Sequence, residues 1–393
     1  MLRAETPNGV GLLLQPAQAS PGHRPRSIID WNSDELIRDE ILSIEALERS
    51  AEDLAAADRV ADLRRGAGSL RARLRSNETT LLAAYRTIAK AVTEGRPITP
   101  AAEWLVDNYH LVEGQIREIR LDLPPGYYRQ LPKLADGPLK GLPRVFGLAW
   151  TFIAHTDSRF DSGLLCSFVN AYQRVQPLTI GELWAVAITL RIMLVENLRR
   201  ATHRILTGRQ QRENADNLAD QLLATKRPQA ATIEALLKPH ESTPMPPAFA
   251  AQLVQRLRDQ DPALTPAMQW LEAKLNAQNT STDIVVQGEH MRQAAMTVTV
   301  RNIISSMRRV SAVDWAELFE TISPVDELLR NASGYSRMDF ATRDQYRRAI
   351  EELARGSKLT EMEIAARALA ETTAAARHAN FINDTEKNRA CDA

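Results

Sequence analysis

Between Leu183 and Val195 the chain is apolar almost without interruption, bounded by Glu182 and Glu196 and broken by Arg191. A membrane-spanning helix needs roughly 20 apolar residues. A run this short is therefore expected to be a helix buried inside a globular protein. Its start is written just upstream. Thr179-x-x-Glu182 is a capping box, in which a threonine hydroxyl and a glutamate carboxylate each take up an exposed backbone N–H of the first turn. The pattern predicts a helix over 180–205.

The same logic marks other helix starts. Thr99-Pro100 combines a side-chain cap with a proline at the first helical position and opens 100–120. Asp314-x-x-Glu317, Thr342-x-x-Gln345 and Thr360-x-x-Glu363 repeat the capping pattern later. Ile37, Ile41, Ile44, Leu47, Leu54 and Val60 trace one apolar helical face, and Leu70, Leu74, Leu81, Tyr85, Ile88 and Val92 a second. With Gly66 and Gly68 between them, the two runs predict a helical hairpin. Pro124-Pro125-Gly126, Gly137-Pro138 and Gly141-Leu142-Pro143 make 123–143 an irregular, proline-stiffened loop. The β-branched stretches Thr282–Val286 and Thr297–Val300 could be strands, but Ile303 and Met307 continue them at helical spacing, so helix is favoured. The fold class is all-α: a helical hairpin plus helical bundle subdomains.

The expected organisation is a disordered tail at 1–33, a helical domain at 34–207, a polar linker with short helices at 208–247, a second helical segment at 248–375 and a polar tail at 376–393. Lys and Arg together equal Asp and Glu at 49 each. No broad field of one sign is available, so no nucleic-acid partner is expected. Cys166 and Cys391 are the only cysteines, too few for a disulfide framework or a cysteine-rich zinc site, which points to a reducing compartment. The first thirty residues lack a secretory apolar core, and the chain alone is expected to be soluble, with no membrane span.

Candidate chemistry is thin. His155, Asp157 and Asp161 could bind a cation if they met on one side of a turn; the plainer reading is a helix C-terminal turn. Asp107, Glu113, Glu118 and Asp122 share a helical stretch with Arg117 and Arg120, so surface ion pairs are expected before glycosidase chemistry. Trp150, Phe152, Phe160, Trp184 and Met193 read as core. Tyr127 and Tyr128 follow the Pro-Pro-Gly turn, where rings can stack on sugars and Arg129 can bond hydroxyls, or where both rings can simply pin the loop. Tyr172 lies near a helix end, where an exposed phenol could act as a nucleophile. No metal-ligand set is expected.

Several longer motifs recur in order. They include Trp104–His110, Asp122–Leu134, Ala154–Asp161 and Gln176–Ala185, then Asp314–Glu320 and Met338–Ala354. Together they resemble the N-terminal region of bacterial cyclic β-1,2-glucan synthases, which are very large membrane-bound glycosyltransferases. The resemblance runs from about Ile37 to Ala375 and is strongest over 98–200.

The resemblance implies a region that precedes a membrane-embedded transferase and a glycoside-phosphorylase-like C-terminal region. Such enzymes polymerise glucose from UDP-glucose on the protein itself and release a ring. It implies a scaffold or glucan-carrier role at the cytoplasmic side of the bacterial inner membrane. The partners would be the β-1,2-glucan chain and the missing catalytic domains. No cofactor is expected in this fragment, the UDP-glucose donor and a divalent metal being assigned to the missing transferase domain. The chain ends at Ala393, and Arg377 to Ala393 do not resemble the family. The expectation is therefore a truncated or frameshifted piece without catalytic residues, inactive alone. If glucan is anchored here, Tyr172 is the first candidate, with Tyr127 and Tyr128 as alternatives and Tyr127, Tyr128 and Arg129 as sugar contacts. The competing reading is a stand-alone helical interaction module with no sugar chemistry, which requires all three tyrosines to be buried. An independent glycoside hydrolase would need two carboxylates facing each other across a cleft.

Overall fold

The structure is a computed structural model describing residues 31, 33–61, 70–224, 230–241, 244–258, 265–332 and 334–375. The fold is all-α, with sixteen α-helices and one two-stranded sheet among the described residues. Of the expected tails at 1–33 and 376–393 only Trp31 and Ser33 are described, Trp31 packing on Phe146 and Trp150, and the break at Gly66 and Gly68 lies outside the described residues.

The centre is helix α8, Ile180–Ala224, which runs for 45 residues, about 68 Å at the usual rise. Its first half is the apolar run, and it is buried on every side from Ala185 to Thr202. Helices α2 (Leu70–Thr93), α4 (Tyr109–Asp122) and α6 (Arg144–His155) pack directly on it. α1 (Ile44–Ala57) instead lies along α7 (Ser162–Val175). The two N-terminal apolar runs thus find partners in later helices rather than chiefly in each other.

The first run is also not one helix. Ser43 caps α1, and residues 33–43 are not helical. This segment is bonded to α8 side chains: Asn197 accepts the Ile37 N–H at 2.8 Å, and Arg200 donates to the Glu35 carbonyl at 2.7 Å. Ile37 is buried that way, whereas Ile41 and Ile44 face solvent. Val60 and Ala61 form β1, paired antiparallel with β2 (Lys133–Leu134) inside the proline-stiffened loop. That loop also holds a short helix, α5 (Pro125–Gln130), and turns at Gly137 and Gly141, whose φ angles of 75° and 81° suit glycine.

Expected helix starts hold at Thr99, Thr179, Asp314 and Thr360. The stretch opened by Thr99 divides at Asn108 into α3 (Pro100–Asp107) and α4. The Thr342 cap is displaced: α15 (Phe340–Arg355) begins earlier, with Asp339 accepting the Thr342 N–H at 2.7 Å.

Two apolar cores share the long helices. The larger runs from Ile37 to Ala365 and joins α1–α7 to the first half of α8, the second half of α12 (Thr282–Ala312), α13 (Trp315–Ile322), α14 (Pro324–Ala332), α15 and α16 (361–375). The smaller joins the end of α8 to α9 (Ala230–Leu237), α10 (Pro247–Leu257), α11 (Thr265–Ala277) and the start of α12. Residues 208–224 are therefore helix, not linker. They look polar because only Ala215, Leu218, Ala219 and Leu222 are buried there, one narrow face at three- and four-residue steps. The β-branched stretches of 282–300 are helical within α12, as favoured.

The larger core encloses a charged cluster on α8. Glu196 is fully buried and bonded by Arg73, Asn77, Arg199 and Arg200 at 2.7–3.0 Å. Burial alone would raise its pKa, but these bonds and the Arg charges outweigh burial and lower it to about 2. No helix among the described residues is long and apolar enough to cross a membrane.

Candidate functional site

Two of the candidate tyrosines, Tyr172 and Tyr127, lie at the N-terminus of α8. Thr179 and Glu182 cap it, and Arg144 reaches Glu182 through two bonds of 2.6 and 2.7 Å. The Arg144 guanidinium lies 6.0 Å from the Tyr172 ring. Tyr172 itself is 0% exposed and donates its hydroxyl hydrogen to Asp58 at 2.9 Å. Burial, followed by the nearby Asp58 charge, pushes its phenol well above the ordinary tyrosine range. Tyr172 is thus a neutral, enclosed group behind the α8 start. It does not have the exposed helix-end position expected of an acceptor.

On the open side of the same helix start lies a cleft of about 670 Å³, a size typical of small-molecule sites. Six segments meet there: the end of α4 at Asp122, the α5 loop, the first turns of α8, the start of α13, the end of α15 and the start of α16. Three rings line it: Tyr127, Trp184 and Trp315. Tyr127 stands across α8 because its hydroxyl donates to the Gly181 carbonyl. Burial, then Glu351 and Glu182, holds its phenol neutral far into the alkaline range. Trp184 stacks flat on Phe319, with centroids 4.4 Å apart and an interplanar angle of 10°, and meets the Phe340 ring edge-on. Trp315 donates its indole N–H to the Val310 carbonyl at 2.9 Å. Trp150, Phe152, Phe160 and Met193 are core, as expected. Trp184 departs from them, since it lines the cleft and is only partly buried.

Charged groups alternate with the rings. Arg191 lies 5.9 Å from the Trp315 centroid and pairs with Glu118 at 2.9 Å. Glu361 accepts the Ile180 N–H at 2.7 Å, taking one of the unpaired donors at the helix start. Burial raises its pKa to about 7; the Ile180 bond opposes this, while Glu351 and Glu182 add to it. Glu351 is likewise raised, mainly by burial. A Cβ on Gly181 would lie 3.4 Å from the Glu351 carboxylate and 3.9 Å from the Tyr127 ring. The missing side chain therefore keeps the throat of the cleft open.

The remaining candidates are scattered. Tyr128 is half-buried, its pKa raised to about 12 by burial, its ring 6.0 Å from Lys133 Nζ and its hydroxyl without a partner. Arg129 is exposed, and its carbonyl accepts from Lys133 at 3.0 Å. His155, Asp157 and Asp161 do not converge. The His155 ring meets the Glu40 carbonyl, Asp161 caps α7, and buried Asp157 binds Thr299 and Asn302. Asp157 and Ser158 have φ of 47° and 61°, a costly left-handed turn that these bonds hold in place. Among the described residues no group of three or more His, Cys, Asp or Glu could hold a metal.

Glu351, Arg355, Glu361 and Trp315 were missed as site residues. They stand 131 to 177 positions after Trp184 and 188 to 234 after Tyr127 in the chain. The capping boxes at Asp314, Thr342 and Thr360 marked those neighbourhoods, and they signalled helices rather than a site.

No known family profile matches the chain. A cyclic β-(1,2)-glucan synthase, NdvB of Rhizobium meliloti (strain 1021), is 40% identical over 295 residues. Over three-quarters of its length this chain is similar to a cyclic β-(1,2)-glucan synthase. The match spans 75% of this chain and 10% of the synthase.

Proposed function

We propose that this chain is the N-terminal, non-catalytic part of a cyclic β-1,2-glucan synthase, and that it holds or guides the growing glucan in the cleft at the start of α8. The observation that carries this reading is the set of three rings, Tyr127, Trp184 and Trp315, interleaved with Arg191, Glu351, Arg355 and Glu361. Sugar rings present apolar C–H faces and a girdle of hydroxyls. Aromatic planes receive the faces, and charged side chains bond the hydroxyls. Burial raises the Glu361 pKa to about 7, so its protonated form is populated near neutrality and would donate to a sugar oxygen.

The cleft holds glucan without forming a bond to it. Tyr127 is the sugar-facing tyrosine of this reading, with Tyr128 and Arg129 beside it on α5. Tyr172 supports the cleft floor from behind, through Arg144 and Glu182. In the same reading, UDP-glucose and any divalent metal are used by other regions of the synthase, at the cytoplasmic side of the inner membrane.

Titration calorimetry of the full chain with linear β-1,2-gluco-oligosaccharides tests the reading. Saturable binding is expected, weakened about tenfold or more by Trp184→Ala, which is at least roughly 1.4 kcal/mol. Absence of binding to any such oligosaccharide would refute it.

One observation favours a second reading, that of an interaction module. Ile284, Met291 and Val298 on α12 are exposed by 62%, 63% and 50% and recur every seven residues, the spacing of a helix-pairing seam. Both readings can hold in one molecule, because α12 does not line the cleft. The open position of Tyr127 is not what an interaction module alone requires.

A further inference from the structure

The aromatic cleft has a second lobe. A cavity of about 510 Å³ adjoins the first, and both are lined by Tyr127, Trp184 and Glu351. These side chains stand between the two spaces, with Tyr127 tied to Gly181 and Trp184 fixed by its stacking on Phe319. The outer wall of the second lobe belongs to α15: Phe340, Asp344, Arg347 and Arg348.

Arg347 is the informative member. Its side chain is 1% exposed and its guanidinium lies between Phe319 and Phe340, 5.1 and 4.9 Å from their centroids. Its other nitrogens bond Asp326 and Glu320. Nη1, however, is buried and has no hydrogen-bond partner. A buried donor left unpaired is unfavourable, and an oxygen of a bound molecule in this lobe would complete it.

The charges of the lobe are balanced within the protein. Arg347 faces two carboxylates, and Arg348 pairs with Asp344 at 2.7 Å. No surplus positive charge is left for a phosphate or nucleotide. A ring, a ridge of two rings and one unpaired donor suit a neutral polyhydroxylated ligand.

We propose that this lobe is a second sugar subsite, continuous with the first across Tyr127 and Trp184, so that the cleft selects a glucan chain over a short sugar. The proposal rests on the glucan reading of the first lobe and adds to it a length requirement and a direction of travel along α15.

The test is calorimetry of the full chain with β-1,2-gluco-oligosaccharides graded from the disaccharide upward. Affinity is expected to rise by about tenfold once the chain is long enough to pass the ridge, and then to level off. The rim double variant Asp344→Asn/Arg348→Ala removes both partners of an ion pair, so neither charge is stranded. It is expected to abolish the rise while leaving disaccharide affinity in place. Arg355→Ala, in the first lobe only, is expected to weaken every length alike. Disaccharide binding with no gain on lengthening would overturn the second subsite and leave the first standing. So would a rim variant that weakens all lengths equally. Failure of every length to bind would overturn the glucan reading, and the second subsite with it.

Discussion

The Glu361 carboxylate accepts the backbone N–H of Ile180 at 2.7 Å, so the first residue of α16 closes the first turn of α8 across 181 positions of sequence. This bond forms one edge of the cleft, and its acceptor sits beside two further carboxylates, Glu351 and Glu182, with Arg355 as the nearby cation. Burial, reinforced by those neighbours, raises the Glu361 pKa from 4.5 to about 7. A group whose pKa is raised on folding stabilises the docked state most below its unfolded value, and that stability is lost as pH rises through the folded value. Docking of 361–375 should therefore be firmest at and below pH 4.5 and loosen as pH rises through about 7. Amide exchange across this helix, followed against pH, is the measurement. In Glu361→Gln the acceptor remains and the titration does not, so the pH dependence should vanish.

Glu196 gives the opposite sign. Its lowered pKa means that the cluster with Arg73, Arg199 and Arg200 stabilises the fold above pH 4.5 and is lost as pH falls towards about 2. Glu196→Ala removes the buried carboxylate shared by Arg73, Arg199 and Arg200 and should cost about 3–5 kcal/mol in urea unfolding at neutral pH. Glu196→Gln should flatten the acid limb of the stability profile.

Arg347→Ala should destabilise by a similar amount, about 3–5 kcal/mol, because Asp326 and Glu320 lose their buried cation. Arg347→Lys should recover little of it. An ammonium neither fits flat between Phe319 and Phe340 nor bonds Asp326 in two places. Thermal unfolding of the two variants compares them directly.

Tyr172→Phe removes one buried hydrogen bond, to Asp58. A loss of about 1–3 kcal/mol is expected, with glucan affinity unchanged. Intact-mass measurement of the variant in a full-length synthase checks the chemistry of this phenol. Bound hexose should persist in Tyr172→Phe; its disappearance would make Tyr172 the point of attachment.

Much of the architecture is legible in the sequence because its determinants are local. Thr179 and Glu182 lie three residues apart, as do Thr360 and Glu363, and their capping bonds form where the spacing places them. The buried apolar run of α8 is likewise a local property. The cleft is not. Tyr127 and Trp184 come from one end of the chain and Glu351, Arg355 and Glu361 from the other, and only packing across α8 joins them. Tyr172 shows the same limit from the other side. A helix-end position suggests exposure, but α1 covers α7, and Asp58 just beyond α1 reaches the hydroxyl. The second half of α8 reads as linker because a long helix with one narrow buried face has nearly the composition of a loop.

The central claim is that glucan rests in the cleft at the start of α8. Hydrogen–deuterium exchange of the full chain, with and without a linear β-1,2-glucan, reads this residue by residue. Slower exchange is expected over 126–131, 180–188 and 351–364, with 168–175 around Tyr172 unchanged. Protection confined to 168–175, or spread along the exposed face of α12 at 284–298 with none at the cleft, would contradict it.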